Sequence, residues 1–349
     1  MELRGAVIGY GLAGSVFHAP LIAATPGLKV STVVTGNPER QAAASQAYPD
    51  SRVASKPDEV IERAADHDFV VVAAPNDVHA TLARKALDAG LPVVVDKPLA
   101  PTADEARSLV EHAEDLGVPI TVYMNRRWDS DQLTLRRLID EGRLGKVLRY
   151  ESRFERWRPA LSDPGRWRET SQPGAGGGIL LDLGSHLVDQ AIVLFGEVKH
   201  VYAELDNHRG GGADDDAFLA LEHGSGVRSH LWASLLVASP GPRLRVLGDG
   251  AAYVVNDLDG QEQALVSGAL PGDEGWGAEP QEKWGELINE QGSESIASER
   301  GDWPRFYSQL ERALRQGSSA PVDPGDAVAG LEILDAARRS AATGTVVSL

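Results

Sequence analysis

No cysteine occurs among the 349 residues. That excludes disulfides, zinc–thiolate centres, iron–sulfur clusters and a thiolate nucleophile. Basic residues are also scarce. The chain carries 34 Lys and Arg against 51 Asp and Glu, a formal net charge of −17. A protein that grips nucleic acid needs a basic face to displace counterions, so neither nucleic acid nor an acidic membrane surface is expected as a partner. No apolar run approaches the roughly 18 residues of a membrane span. Met1-Glu2-Leu3-Arg4 runs directly into a strand-like stretch without a signal-peptide pattern. These features fit a cytoplasmic address. What is present is an ordinary globular composition, 42% hydrophobic, in a chain long enough for about two domains.

The first third alternates short β-branched runs with Ala- and Leu-rich helical stretches. The runs are Gly5–Ile8, Lys29–Thr35, Phe69–Ala73, Pro92–Val95 and Pro119–Tyr123. This alternation predicts βαβ units and a parallel sheet. Val70-Val71-Val72 and Val93-Val94-Val95 are continuously apolar, as strands covered on both faces should be. After residue 123 the pattern changes to longer segments with period-2 alternation, from Val147–Trp157 to Ala251–Val255. These predict a largely antiparallel sheet. Helices are expected at Asp129–Asp140, Ile179–Phe195, Pro304–Arg315 and Pro324–Ala341. The division predicted is a first domain over 1–123 and a second over 124–349, the last helix packing back on the first. Asp214-Asp215-Asp216 reads as a solvated turn, and Gly268–Pro280 as a long loop.

Gly9-Tyr10-Gly11-Leu12-Ala13-Gly14 follows the strand Ala6-Val7-Ile8 and opens a helix. In that setting a G-x-G-x-x-G is the signature of a dinucleotide-binding turn. Gly9 permits the tight turn, Gly11 the approach of a pyrophosphate, and Gly14 close packing of helix on strand. NAD is held by an acid about 20 residues further on. Here the second run ends Thr35-Gly36-Asn37-Pro38 without one. Thr35 and Asn37 can donate to a 2′-phosphate and Arg40 can pair with it, so NADP is preferred over NAD. The alternative is that these are turn residues and an N-cap.

Two more segments lie where buried strands end, Ala74-Pro75-Asn76-Asp77-Val78-His79 and Asp96-Lys97-Pro98. Ligands of open parallel sheets bind beyond those ends, so Lys97 is expected at the cofactor crevice. A third segment runs from Gly176-Gly177-Gly178 into Asp182, His186 and Asp189. At about 100° per residue these three form one helical stripe. An Asp four residues before a His can orient the imidazole and stabilise its protonated form, an acid/base arrangement.

With those motifs the sequence resembles the Gfo/Idh/MocA oxidoreductases over almost its whole length. The resemblance is strongest to the NADP-dependent scyllo-inositol dehydrogenase branch, on Gly9–Leu21, Asn125-Arg126-Arg127-Trp128-Asp129 and Arg166-Trp167-Arg168-Glu169. It implies an α/β protein with an N-terminal Rossmann domain and a C-terminal α/β domain whose open sheet face makes subunit contacts. It implies hydride transfer between NAD(P) and the hydroxyl or carbonyl carbon of a sugar, polyol or cyclitol. Lys97 would polarise the reacting oxygen, His186 would act as general acid/base, and Asp182 would tune it. Asn76, His79 and Asn125 would line the cofactor–substrate junction. Gly9, Gly11, Leu12, Ala13, Gly14, Thr35, Asn37, Arg40, Pro75 and Asp96 complete the cofactor set. Tyr123, Arg158 and Trp167 join the catalytic residues on the substrate side. Two departures are Asp96, where the family has Glu, and Gly36-Asn37-Pro38, where related NADP enzymes carry Ser-Arg.

No metal is expected, and His67, His112, His200, His208, His223 and His230 show no ligand spacing. His18 packs, caps or touches ligand. The assembly predicted is a homodimer or homotetramer. Two other readings compete. One is a dinucleotide-binding regulator of the same fold without turnover, which would not need Lys, Asp and His together. The other is a reductase of a non-sugar carbonyl or imine.

Overall fold

The computed structural model describes residues 1–161 and 171–349. The chain forms two compact units. The first comprises Met1–Asn125, Glu262–Trp276 and Trp303–Val328, and the second Arg126–Gln261, Gly277–Asp302 and Ala329–Leu349.

The first unit holds β1 (Leu3–Ile8), β2 (Leu28–Val34), β3 (Arg52–Ala54), β4 (Phe69–Val72), β5 (Val93–Asp96) and β6 (Ile120–Tyr123). They form one sheet in the order β3-β2-β1-β4-β5-β6, parallel throughout. Every residue of β4, β5 and β6 is buried, which is why their sequences read as apolar runs rather than alternating ones. Strand order reverses between β1 and β4, so the ligand crevice of such a sheet opens beyond their carboxyl ends.

This core is finished by residues far along the chain. Tyr123 packs edge-on to Phe306 at 4.9 Å and tilted to His18 at 4.4 Å. Tyr307 adds its ring 6.0 Å from Tyr123, and its hydroxyl lies 2.6 Å from His18 Nδ1. Trp303 meets Phe17 edge-on, and the buried Thr121 hydroxyl donates to the Val322 carbonyl.

The second unit holds β7 (Val147–Glu155), β8 (Val198–Asp206), β9 (Asp216–His223), β10 (Arg228–Ser234), β11 (Leu244–Gly248), β12 (Ala252–Val255), β13 (Gly285–Asn289), β14 (Gly292–Ile296) and β15 (Val347–Ser348). Their order is β14-β13-β12-β11-β7-β10-β9-β8-β15. The β7–β10 pair is parallel, and the other pairs are antiparallel. The helix Ser185–Phe195 packs on β7 and β10. The inward residues Leu219, Leu221, Leu231 and Ala233 are buried, while Phe218, Ala220, His230 and Trp232 on the other face are half-buried. That is the alternation the sequence shows.

Asp214-Asp215-Asp216 is not a solvated turn. Asp215 is buried and accepts from the backbone N–H groups of His208 and Arg209 and from Arg209 Nε. Asp214 is taken up by the helix carrying Asp182, and Asp216 opens β9. A charge run is solvated only when no unsatisfied donors surround it, and here the backbone supplies them. Among the described residues no helix is long and apolar enough to cross a membrane.

Candidate active site

In the first unit, β1 ends in the glycine turn. Gly9 has φ of 101°, a left-handed value that favours glycine, and its N–H donates to the Val34 carbonyl. A side chain on Gly9 would collide with the Ala73 carbonyl, and one on Gly14 with the Gly9 carbonyl. Both are glycine because protein backbone already fills the space. Gly11 differs: among the described residues, the nearest atom to a Cβ built there is Arg40 Nη1, at 3.8 Å. Room is therefore kept open at Gly11, beside a guanidinium. Leu12 is 57% exposed, while Ala13 is buried at the first turn of a π-helical segment, Ala13–His18. Wide turns of this kind are frequent at functional sites.

Past β2, Asn37 caps the helix Pro38–Ala47, its Oδ1 accepting from Arg40 N at 3.0 Å. The cap uses the carbonyl oxygen, so a phosphate contact would fall to the Asn37 NH₂. Thr35 is buried and its hydroxyl lies 3.4 Å from Asn37 N. Pro75 precedes a 3₁₀ turn, Asn76–Val78, whose first residue is buried. Asn125 is buried at the start of the turn Asn125–Trp128.

Lys97 follows β5 and is half-buried, and its N–H donates to Asp96 Oδ1 at 3.0 Å. Asp96 is buried, with His18 Nε2 3.6 Å from the same oxygen. Burial pushes the Asp96 carboxyl upward, but hydrogen bonding to His18 and the charges of His18, Lys97 and His79 outweigh it and hold it below its ordinary value. His18 thus belongs to the interior.

Two residues expected at a ligand are buried in this unit. Tyr123 is 1% exposed and places its ring in the cluster with His18, Phe306 and Tyr307. His79 is fully buried, with both ring nitrogens on backbone carbonyls. An apolar aromatic cluster gains more from the Tyr123 ring than an aqueous crevice would.

In the second unit, the glycine run leads into a π-helical turn, Leu180–Gly184, and then the α-helix Ser185–Phe195. A π turn is wider than an α turn, at about 4.4 residues, so Asp182 and His186, four residues apart, still fall on one side of the helix. Gly178 has φ of 101°, and a side chain there would strike the Asp214 carboxylate. That carboxylate accepts from Leu180 N at 2.6 Å, while the Asp214 carbonyl accepts from Ile179 N at 2.9 Å. Burial raises the Asp214 carboxyl above its ordinary value, against the pull of the Leu180 N–H. Asp182 is half-buried, and His186 is buried with its ring edge-on to Phe154 at 6.4 Å.

Around this helix lies a buried polar network. Asp189 does not share a free face with His186, because Arg127 grips it through Nε at 2.9 Å and Nη2 at 2.6 Å. Arg126 and Arg243 lie over the ring of Phe154 at 4.8 and 4.1 Å. Arg243 also meets Asp131 at 3.0 Å and donates to the Gln190 side-chain Oε1 at 3.0 Å. Sequence reasoning missed Phe154, Arg243 and Asp214. Each comes from a different strand or loop, and no local spacing marks them. Arg158 lies on the surface just past β7. Trp167, with Arg166 and Arg168, lies outside the described residues. Among the described residues no group of three or more His, Asp or Glu side chains is arranged to hold a metal.

A Rossmann sheet with an open glycine turn, joined in one chain to a mixed, mostly antiparallel α/β unit, defines a dinucleotide-binding oxidoreductase class. The comparisons specify the family. Residues 3–124 match the oxidoreductase family NAD-binding Rossmann fold, and residues 136–349 its C-terminal alpha/beta domain. The chain belongs to the Gfo/Idh/MocA oxidoreductase family. It is 34% identical to a scyllo-inositol 2-dehydrogenase (NADP(+)) of Bacillus subtilis, over 97% of this chain and 93% of that one. It is 38% identical to an uncharacterized oxidoreductase of Escherichia coli, over 97% and 96%. A solved chain from Bacillus subtilis matches with a TM-score of 0.93 at 33% identity, covering 99% of this chain and 98% of that one.

Proposed function

We propose that this chain is a dehydrogenase or reductase that prefers NADP and transfers hydride to or from a CH–OH carbon of a cyclitol, sugar or polyol. The observation that carries the reading is the space kept at Gly11 beside Arg40. A diphosphate needs that space, and a 2′-phosphate needs the guanidinium. The end of β2 offers Thr35, Asn37 and Arg40, and the acid beside them, Glu39, comes late, exposed in the first turn of the following helix. The relative named as an NADP-dependent scyllo-inositol dehydrogenase supports both the cofactor and the substrate class.

The nicotinamide, when bound, supplies the hydride acceptor or donor. The chain supplies the rest. The Lys97 ammonium donates to the reacting oxygen and stabilises the negative charge that builds there. His186 takes the hydroxyl proton, its ordinary pKa of about 6.5 lying near working pH. Asp182 orients the imidazole and favours its charged form.

Assembly follows from the sheet face opposite the helix. Phe218 and Trp232 lie paired at 5.2 Å, with Arg153 over the Trp232 ring at 3.9 Å. We assign this face to a second copy of the chain in a homodimer or homotetramer, and light scattering that gives a monomer at micromolar concentration overturns the assignment.

The decisive test is turnover on a panel of polyols and ketoses with both dinucleotides. Lys97→Met is expected to lower kcat by about 10²–10³-fold. His186→Ala is expected to lower it by roughly 10²–10⁴-fold and to flatten the pH–rate profile near neutrality. Wild-type turnover in both variants would favour a regulator instead. Calorimetric titration should show NADPH binding more tightly than NADH.

A further inference from the structure

We propose that His79 is held as an imidazolium and is the positioning residue that fixes the loop bearing Lys97. The proposal rests on the reading of Lys97 as the group that polarises the reacting oxygen. The His79 ring is fully buried at the start of the helix His79–Asp88. Its Nδ1 lies 2.7 Å from the Pro98 carbonyl oxygen and its Nε2 2.8 Å from the Ala74 carbonyl oxygen. A carbonyl oxygen only accepts, and a neutral imidazole carries a single N–H. With one proton, a ring lone pair would face a carbonyl lone pair at one of the two contacts, an unfavourable pairing. With two protons both contacts are hydrogen bonds.

Burial by itself opposes a cation, so a counter-charge is needed. Asp96 is the carboxylate placed to supply it, buried at the head of the turn whose Pro98 carbonyl meets the His79 ring. The other charged groups acting on that carboxylate are His18 and Lys97.

The two carbonyls belong to the turns that follow β4 and β5, which are neighbours in the sheet. One ring therefore ties the Ala74–Asn76 turn to the Asp96–Pro98 turn. The Lys97 backbone is held from both sides. Its N–H is on Asp96 Oδ1, and the next carbonyl is on His79. A four-carbon side chain carrying a reactive ammonium gains in precision from such a base, because small displacements at a reacting centre are expensive.

The test uses the full chain labelled with ¹⁵N-histidine. Both ring nitrogens of His79 should carry directly bonded protons at pH 8.5, where an unconstrained histidine is neutral. A single protonated nitrogen at that pH overturns the proposal. The resonances are those lost in His79→Gln. Should that variant fail to fold, they are identified in the wild type by through-space contacts to Ala74 and Pro98. In the folded His79→Gln variant, kcat should fall by about 100-fold while the dinucleotide KM changes little. Unchanged kcat overturns the positioning role. Turnover that survives in Lys97→Met, alongside a doubly protonated His79, would instead fault the dehydrogenase reading and leave the protonation state standing.

Discussion

Each unit feeds a glycine-rich turn into a helix that begins with a π-type segment, and the two turns use glycine for opposite ends. At Gly9 to Gly14, the outer two glycines make way for backbone and the middle one leaves space beside Arg40. At Gly177 and Gly178 both positions are filled by the protein itself, by the Ser171 carbonyl and the Asp214 carboxylate. The second helix thus has an internal anion on its first N–H groups, where the first has none of its own among the described side chains. Helix N-termini attract anions whatever their source. A glycine motif therefore reports a binding site only when the space it creates is not taken by the fold.

The contrast can be broken by substitution. The largest effect is expected from Gly178→Ala, which forces an L-residue to a φ of 101° and pushes it against Asp214. About 1–3 kcal/mol of stability should be lost by calorimetry, with turnover falling because the helix of His186 moves. Gly11→Val should leave stability within about 0.5 kcal/mol. It should weaken dinucleotide binding about 10-fold or more in a titration, and a loss of stability there would erase the distinction. Asp214→Ala should cost about 1 kcal/mol as a lost cap. Combined with Gly178→Ala it should cost less than the two single changes together, because the removed carboxylate is the obstacle.

The smallest effect is a pH slope. Asp259 is buried, and burial pushes its carboxyl up to about 6, against hydrogen bonds from the Ser130 and Gln261 N–H groups. Its unfolded value is about 3.9, so the folded state holds a proton across that window that the unfolded state releases. Its contribution to stability is complete below about pH 4 and is lost as pH rises through about 6. Asp259→Asn should flatten that fall in Tm. Asp96, held low in the first unit, acts in the opposite sense: its contribution is present above about pH 4 and goes only in stronger acid.

The parallel sheet was legible because Val70–Val72 and Val93–Val95 cannot be half-solvated, and the mixed sheet because Phe218 to Leu221 alternate. Strands β13 and β14 were not, since Gly285–Asn289 and Gly292–Ile296 are mostly exposed and show no apolar face. Lys97 could be located from the strand before it. Tyr123 could not be separated from a ligand contact, because an aromatic at a strand end reads alike in either role. His18, Phe306 and Tyr307, all remote in sequence, show where its ring goes. Asp214 was misread for a similar reason, as its partner N–H is 34 residues away.

The late return of the chain to the first unit has a consequence for synthesis. A ribosome that has released residues 1–125 has made all six parallel strands but not the lining of their last edge. Tyr123 and His18 wait for Phe306 and Tyr307, and Thr121 for the Val322 carbonyl. Most of the second unit, Arg126–Gln261 and Gly277–Asp302, is threaded between the two halves of this contact. The dinucleotide-binding unit, though first to emerge, is therefore completed only after most of the second unit has been made, and the nascent chain must shelter an unfinished aromatic face until Phe306, Tyr307 and Val322 appear.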